Sequence, residues 1–257
     1  MTEGRPVVAA FSWKPHCGES RGYVSRSAKL ILFMLAVTAG ATAQQTPAIE
    51  AVQNPVAQVR ERQSWSFGPI ANWGTGVGDR SDFKFFFAGA HVSKVLTPVL
   101  HAGLFSGQFE YGGDIIPFWQ AYTPAPHTVT YVIDGVTYNE PVGGGTYTGA
   151  SLTPVIFRWN FLTRSKRVQP WFQAAGGLVY TTHKFPPEIL VPHGTPGGTS
   201  VWNFSPQGGI GIHYFTRPGR SIDFGVNAVH ISSASLGDRN PGVNASMQFQ
   251  VGYSFWK

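Results

Sequence analysis

The chain has 257 residues, of which 42% are hydrophobic, 14% aromatic and only 12% charged, with 31 Gly, 19 Pro and a formal net charge of +6. This aromatic, charge-poor composition excludes a disordered chain, and the Gly and Pro content excludes coiled coils and helical solenoids. The longest apolar stretch, Leu30–Ala39, falls short of the roughly 20 residues of a spanning helix, which leaves a single β-rich domain large enough to close a sheet.

Arg21, Arg26 and Lys29 precede the apolar core Leu30–Val37, and Ala41-Thr42-Ala43 follows it. A basic flank, a short apolar run and a small-x-small site predict a secretory signal peptide over residues 1–43. The single cysteine, Cys17, lies upstream of that core and outside any lipobox-like context. An exported chain without cysteines must draw its stability from elsewhere, and a closed barrel supplies it. Residues 1–43 hold five of the 19 basic and two of the 13 acidic residues, leaving 14 and 11, or +3. The high isoelectric point is therefore partly a property of the leader and implies no nucleic-acid partner.

Residues 44–63 are polar and rich in Ala and Gln, and read as a periplasmic lead-in to a domain over 64–257. Eight segments then alternate apolar with small or polar residues, the period of a β-strand. They are Trp65–Thr75, Phe83–Ser93, Val99–Tyr111, Leu152–Leu162, Val168–Thr181, Trp202–Phe215, Ser221–Ser232 and Val243–Trp256. Tight connections are expected at Lys94–Pro98, Thr163–Arg167 and Thr216–Arg220. Long ones rich in Gly and Pro are expected at Ile115–Ser151 and His183–Val201. Short turns at one rim and long loops at the other describe an eight-stranded antiparallel up-and-down transmembrane barrel with its turns in the periplasm.

Face assignment supports this fold class. In the last strand Ala245, Met247, Phe249, Val251, Tyr253 and Phe255 share one face, and Asn244, Ser246, Gln248 and Gln250 the other. The apolar face is expected to meet lipid and the polar face to fill a narrow lumen. Seven tryptophans (65, 73, 119, 159, 171, 202 and 256) fall near strand ends, where interfacial girdles are built. Glu110 and Arg158 share the lumenal face of neighbouring strands and read as a structural ion pair.

No HExxH, CxxC, P-loop or Gly-x-Ser-x-Gly pattern is present, and the histidines lack metal-ligand spacing, so neither cofactor nor metal is implied. His230 stands apart. With Ser232 it shares the apolar face of Ile222, Phe224, Val226 and Ala228, near the outer rim. An imidazole two residues from a hydroxyl on one face can accept its proton. The bland alternative is an interfacial histidine beside an ordinary serine.

The segment His230-Ile-Ser232-Ser-Ala-Ser-Leu, then Asn240-Pro-Gly242 and a terminal aromatic strand, resembles the lipid A 3-O-deacylase family. These are outer-membrane barrels whose motif is His-x-Ser-Asn-Ala. The resemblance implies that Ser232 is the nucleophile and His230 its base. The reaction would hydrolyse the 3-O ester of lipid A in the outer leaflet of the outer membrane. Two positions depart from the family. Its Asn after the nucleophile, an oxyanion donor, is Ser233. Its Glu at the start of the last strand falls at Val243 or Asn244, with Asp238 the nearest acid in the loop and Asp223 facing the lumen. A catalytically weak or inactive barrel that binds lipopolysaccharide is therefore the alternative, and an adhesin-like barrel ranks third.

Overall fold

The computed structural model describes residues 54–142, 144–186, 200–234 and 244–257. The leader, Asp238 and Val243 lie outside them. Helix α1 (Pro55–Arg62) is followed by eleven strands. These are β1 (Trp65–Gly76), β2 (Lys84–Val95), β3 (Gly107–Tyr122), β4 (His127–Ile133), β5 (Val136–Val142) and β6 (Thr146–Phe161). Then come β7 (Val168–Phe185), β8 (Ser200–Phe204), β9 (Gln207–Arg217), β10 (Arg220–His230) and β11 (Ala245–Trp256). Antiparallel pairing runs β6-β3-β2-β1-β11-β10-β9-β7, and β6 also pairs with β7. The sheet therefore closes as an eight-stranded barrel. Strand β8 extends the sixth wall strand beyond Pro206, and β4–β5 form a separate hairpin.

The expected strands are present, with two shifts. The third runs Gly107–Tyr122 instead of Val99–Tyr111, and the fourth begins at Thr146 instead of Leu152. The Lys94–Pro98 turn is correspondingly longer, spanning residues 96–106. Gly103 supplies a positive φ there, and the Ser106 hydroxyl donates to Gly103 O and accepts from Ala102 N. Pro117 argues against a strand, yet β3 passes through it. The register shift between Ile116 and Trp119 forms a bulge at that point, where a missing N–H costs little.

Burial alternates along the walls as period two requires. In β11 Ser246, Gln248, Gln250 and Ser254 are buried, while Met247 and Phe249 are exposed. The lumen nevertheless differs from the all-polar filling expected. Its long-loop half is packed with Phe83, Phe85, Phe87, Ile116, Trp119, Tyr147 and Phe185. The Phe87 and Trp119 rings stack at 5.3 Å, and Phe185 meets Trp119 edge-on at 5.4 Å. Trp119, Trp171 and Trp256 thus point inward and are buried, and the exposed tryptophans are Trp65, Trp73 and Trp202.

The short-turn half is polar. Arg158 Nη1 donates to Glu110 Oε1 at 2.8 Å, and Asn160 holds the other carboxylate oxygen at 2.6 Å. Arg158 also donates to Gln173, which donates to Asn227, which donates to Gln250. One chain of bonds therefore ties β3, β6, β7, β10 and β11. The Arg158 guanidinium lies 4.7 Å from the centre of the Trp171 ring. That indole fits because Gly211 and Gly225 carry no Cβ, which would meet its carbons at 2.3 and 2.7 Å. Two histidine–aspartate pairs, His91–Asp114 and His213–Asp223, complete the layer. The network is incompletely satisfied, because His91 Nε2, His213 Nε2, Asn160 Oδ1 and Trp171 Nε1 are buried without a hydrogen-bond partner among the described residues.

Part of the polar lead-in is ordered. Asn54 Oδ1 accepts from Ala57 N at 3.1 Å, and Pro55 occupies the first helical turn, so both N-terminal signals of a helix are present. Val56 and Val59 pack against Val95, Phe215 and Trp256 at the short-turn mouth. Gln108 Nε2 anchors the helix end through Arg60 O at 3.0 Å.

Candidate active site

Strand β10 ends at His230, opposite Ala245 of β11. Its outward set, Ile222, Phe224, Val226, Ala228 and His230, is partly or fully exposed, and the intervening residues are buried. His230 and Ser232 are both half-buried, whereas Ile231 and Ser233 are fully buried. The two chemically capable side chains therefore share the outward face at the long-loop rim. Two residues of extended chain separate them, about 6.6 Å along the backbone.

The backbone beyond β10 is pinned from both sides. His230 N donates to Pro206 O at 3.0 Å, and Ile231 N to Asn244 O at 2.9 Å. Ser232 exchanges two bonds with Phe204, donating at 3.0 Å and accepting at 2.7 Å. The role of β8 is thus to hold the serine. Pro206 separates it from β9, and the proline was the one sequence signal of that break. Ser232 Oγ accepts from Ala234 N at 3.2 Å, and Ala234 adopts a left-handed φ of 49°. In that bond the hydroxyl oxygen is the acceptor, using one of its lone pairs. No hydrogen bond joins the His230 and Ser232 side chains among the described residues.

Ser233 Oγ is buried without a hydrogen-bond partner. Asn244 is also buried, with its carbonyl on Ile231 N and its Nδ2 without a partner. Asp223 is inside the barrel, bonded to His213, Ser221 and Ser254. Glu110 and Arg158 are in the polar layer of the lumen, remote from the outward face. An apolar concavity of about 390 Å³ lies on the neighbouring wall, lined by Pro154, Gly176, Gly177, Leu178, Pro206 and Phe204, the last being the backbone partner of Ser232. Among the described residues no cluster of three His, Cys, Asp or Glu is arranged to hold a metal ion.

A family model described as Lipid A 3-O-deacylase (PagL) matches residues 105–254. Comparison with curated proteins found no match. Among solved structures, the outer membrane enzyme PagL is similar at 15% identity and a TM-score of 0.45, covering 73% of this chain and 97% of that one. Neisserial surface protein A is similar at 11% identity and 0.40, covering 75% and 95%. The N-terminal β-barrel domain of Pseudomonas aeruginosa OprF is similar at 11% and 0.36, covering 74% and 97%.

Proposed function

The chain belongs to the lipid A 3-O-deacylase (PagL) family of outer-membrane barrels, and from that we propose that it hydrolyses the 3-O ester-linked acyl chain of lipid A with Ser232 and His230. The observation that carries this reading is their shared outward face at the long-loop rim. A polar pair on a lipid-facing wall costs free energy without a task or a snorkelled contact. The acyl chains of lipid A already occupy the leaflet that this face would meet.

In the proposed reaction His230 takes the Ser232 proton as Oγ attacks the ester carbonyl. The tetrahedral oxyanion collapses, and the sugar 3-oxygen leaves with the proton held on the imidazole. Water, deprotonated by His230, then cleaves the acyl-serine and releases a 3-hydroxy fatty acid. Ser233, at the family's oxyanion position, is fully buried and alternates inward from Ser232, so its hydroxyl would have to turn outward to serve the oxyanion. The concavity beside Phe204 and Pro206 offers apolar cover to the departing chain. Asn244 stands near the position of the family's acid, and a neutral amide cannot stabilise the imidazolium as a carboxylate does. A structural barrel that binds lipopolysaccharide without turning it over is the second reading, and this missing charge is what favours it.

The test is mass spectrometry of lipid A from cells with and without the protein. Loss of one 3-hydroxyacyl group only when the protein is present is the expected result. Unchanged lipid A in cells containing folded barrel would leave the binding reading.

The orientation that brings the site to the outer leaflet places residues 123–145 outside the cell and 162–167 in the periplasm. A protease of broad specificity added to intact cells should cut the first segment, which holds no Lys or Arg, whereas trypsin should spare the second despite its three exposed basic residues. Cleavage at 162–167 in sealed cells would invert the assignment.

A further inference from the structure

The positive charge of the barrel is concentrated at its short-turn end. Segments 54–64, 96–106, 162–167 and 218–219 contain a single acidic side chain, Glu61. The turns carry Arg164, Lys166, Arg167 and, at the end of β9, Arg217, all exposed. On the outward wall three more cations lie over aromatic rings. Lys94 Nζ is 5.3 Å from the centre of the Trp65 ring, and Lys257 Nζ is 5.7 Å from that of Phe67. The Arg220 guanidinium is 4.3 Å from that of Phe255. These pairs are contiguous. Trp65 is opposite Lys94, Phe67 opposite Phe255, and Phe255 opposite Arg220, so the patch crosses β2, β1, β11 and β10. The Phe67 and Phe255 rings stack at 5.6 Å between the cations. Lys94, Arg220 and Lys257 have no carboxylate side-chain partner among the described residues.

We propose that this patch binds the anionic headgroups of glycerophospholipids in the periplasmic leaflet of the outer membrane. Each half of the patch matches one half of that ligand. The outward rings belong at the edge of the hydrocarbon, where aromatic side chains favour the interface. The cations above them lie at phosphate level, where each basic residue adds attraction to an anionic surface. Arg220 Nη1 donates to Gly219 O at 2.7 Å, which fixes the guanidinium in place; its Nε is buried, and Nη2 can serve a phosphate. The opposite rim is mixed in charge, with exposed Asp82 and Asp134 alongside exposed Lys84 and Lys184. The cationic patch is therefore at the end that the proposed orientation turns to the periplasm. The inference is independent of the deacylase chemistry and uses only the orientation proposed above.

The test uses the full barrel in detergent, with lipid retention read by native mass spectrometry. Phosphatidylglycerol, cardiolipin and phosphatidylcholine are offered in turn, and folding is checked by heat-modifiable mobility. The wild type should retain both anionic lipids over phosphatidylcholine. The Lys94→Gln/Arg220→Gln/Lys257→Gln variant should lose that preference by about fivefold per cation removed. The Lys94→Arg/Arg220→Lys/Lys257→Arg variant should keep it, as should Lys84→Gln at the other rim. Equal retention of all three lipids by the wild type would overturn the proposal. So would an unaffected triple Gln variant, an equal loss in Lys84→Gln, or full displacement of the lipid by inorganic phosphate. Failure of the deacylase reading would alter none of these measurements.

Discussion

Ser232→Ala should abolish release of the 3-hydroxy fatty acid from lipid A while leaving a barrel of unchanged heat-modifiable mobility. The serine is half-buried and lies beyond the end of β10, and its backbone bonds to Phe204 do not involve the side chain. Removing one hydroxyl therefore deletes the nucleophile without touching the wall. The more informative change goes the other way. Loss of the acid partner of a Ser–His pair costs about 10⁴-fold in turnover in the serine-protease triad, so a weak rate is expected for the natural chain. Val243→Glu and Asn244→Glu should each be assayed for a gain. Parity in the sequence groups position 243, which lies outside the described residues, with Ala245 and Met247, and Asn244 is buried. The larger gain is therefore expected from Val243→Glu, whereas a carboxylate at 244 would have to be accommodated inside the rim. If folded wild type shows no deacylation and neither substitution creates any, the barrel is a binding protein.

Glu110→Ala should destabilise the barrel by about 3–5 kcal/mol, the cost of leaving a buried charge without its counter-ion. The carboxylate accepts from Arg158 and Asn160, both buried. Its loss would leave Arg158 with only Gln173 and the Trp171 ring. Replacing Glu110 and Arg158 together by apolar residues of similar volume should recover much of that loss. The measurement is the urea midpoint of heat-modifiable mobility in lipid vesicles, for the single and the double variant. An unchanged midpoint for Glu110→Ala would mean that the pair contributes nothing.

Much of the barrel is legible where one face is apolar and the other polar. In β11 the alternation from Ala245 to Phe255 gives strand, face and register at once, and in β10 it puts His230 outward with Phe224 and Val226. Legibility fails where both faces are apolar. Phe85, Phe86 and Phe87 are consecutive, so period two is erased there, and only the barrel reveals that Phe85 and Phe87 point inward. It fails again at Pro117, where a strand survives by bulging, and at Val56 and Val59, two apolar residues in a polar segment. The β4–β5 hairpin did carry a signal. Asp134-Gly135, both at positive φ, joins two alternating runs, which is the favoured hairpin turn. At the site, the outward position of His230 and Ser232 follows from alternation. Their support by β8 does not, because contacts between segments almost thirty residues apart leave no local pattern.

The aromatic filling behind the rim bears on traffic. Phe85, Phe87, Trp119 and Phe185 close the long-loop half of the lumen directly inside the wall that carries His230. With α1 seated at the other mouth, the barrel interior offers a fatty acid no passage. A cleaved chain would then leave as it arrived, sideways through the leaflet. It would remain in the bilayer beside its former sugar, as a single-tailed wedge where a multi-tailed lipid had been. The spontaneous curvature of the outer leaflet would change by headgroup-to-tail ratio alone, with nothing exported.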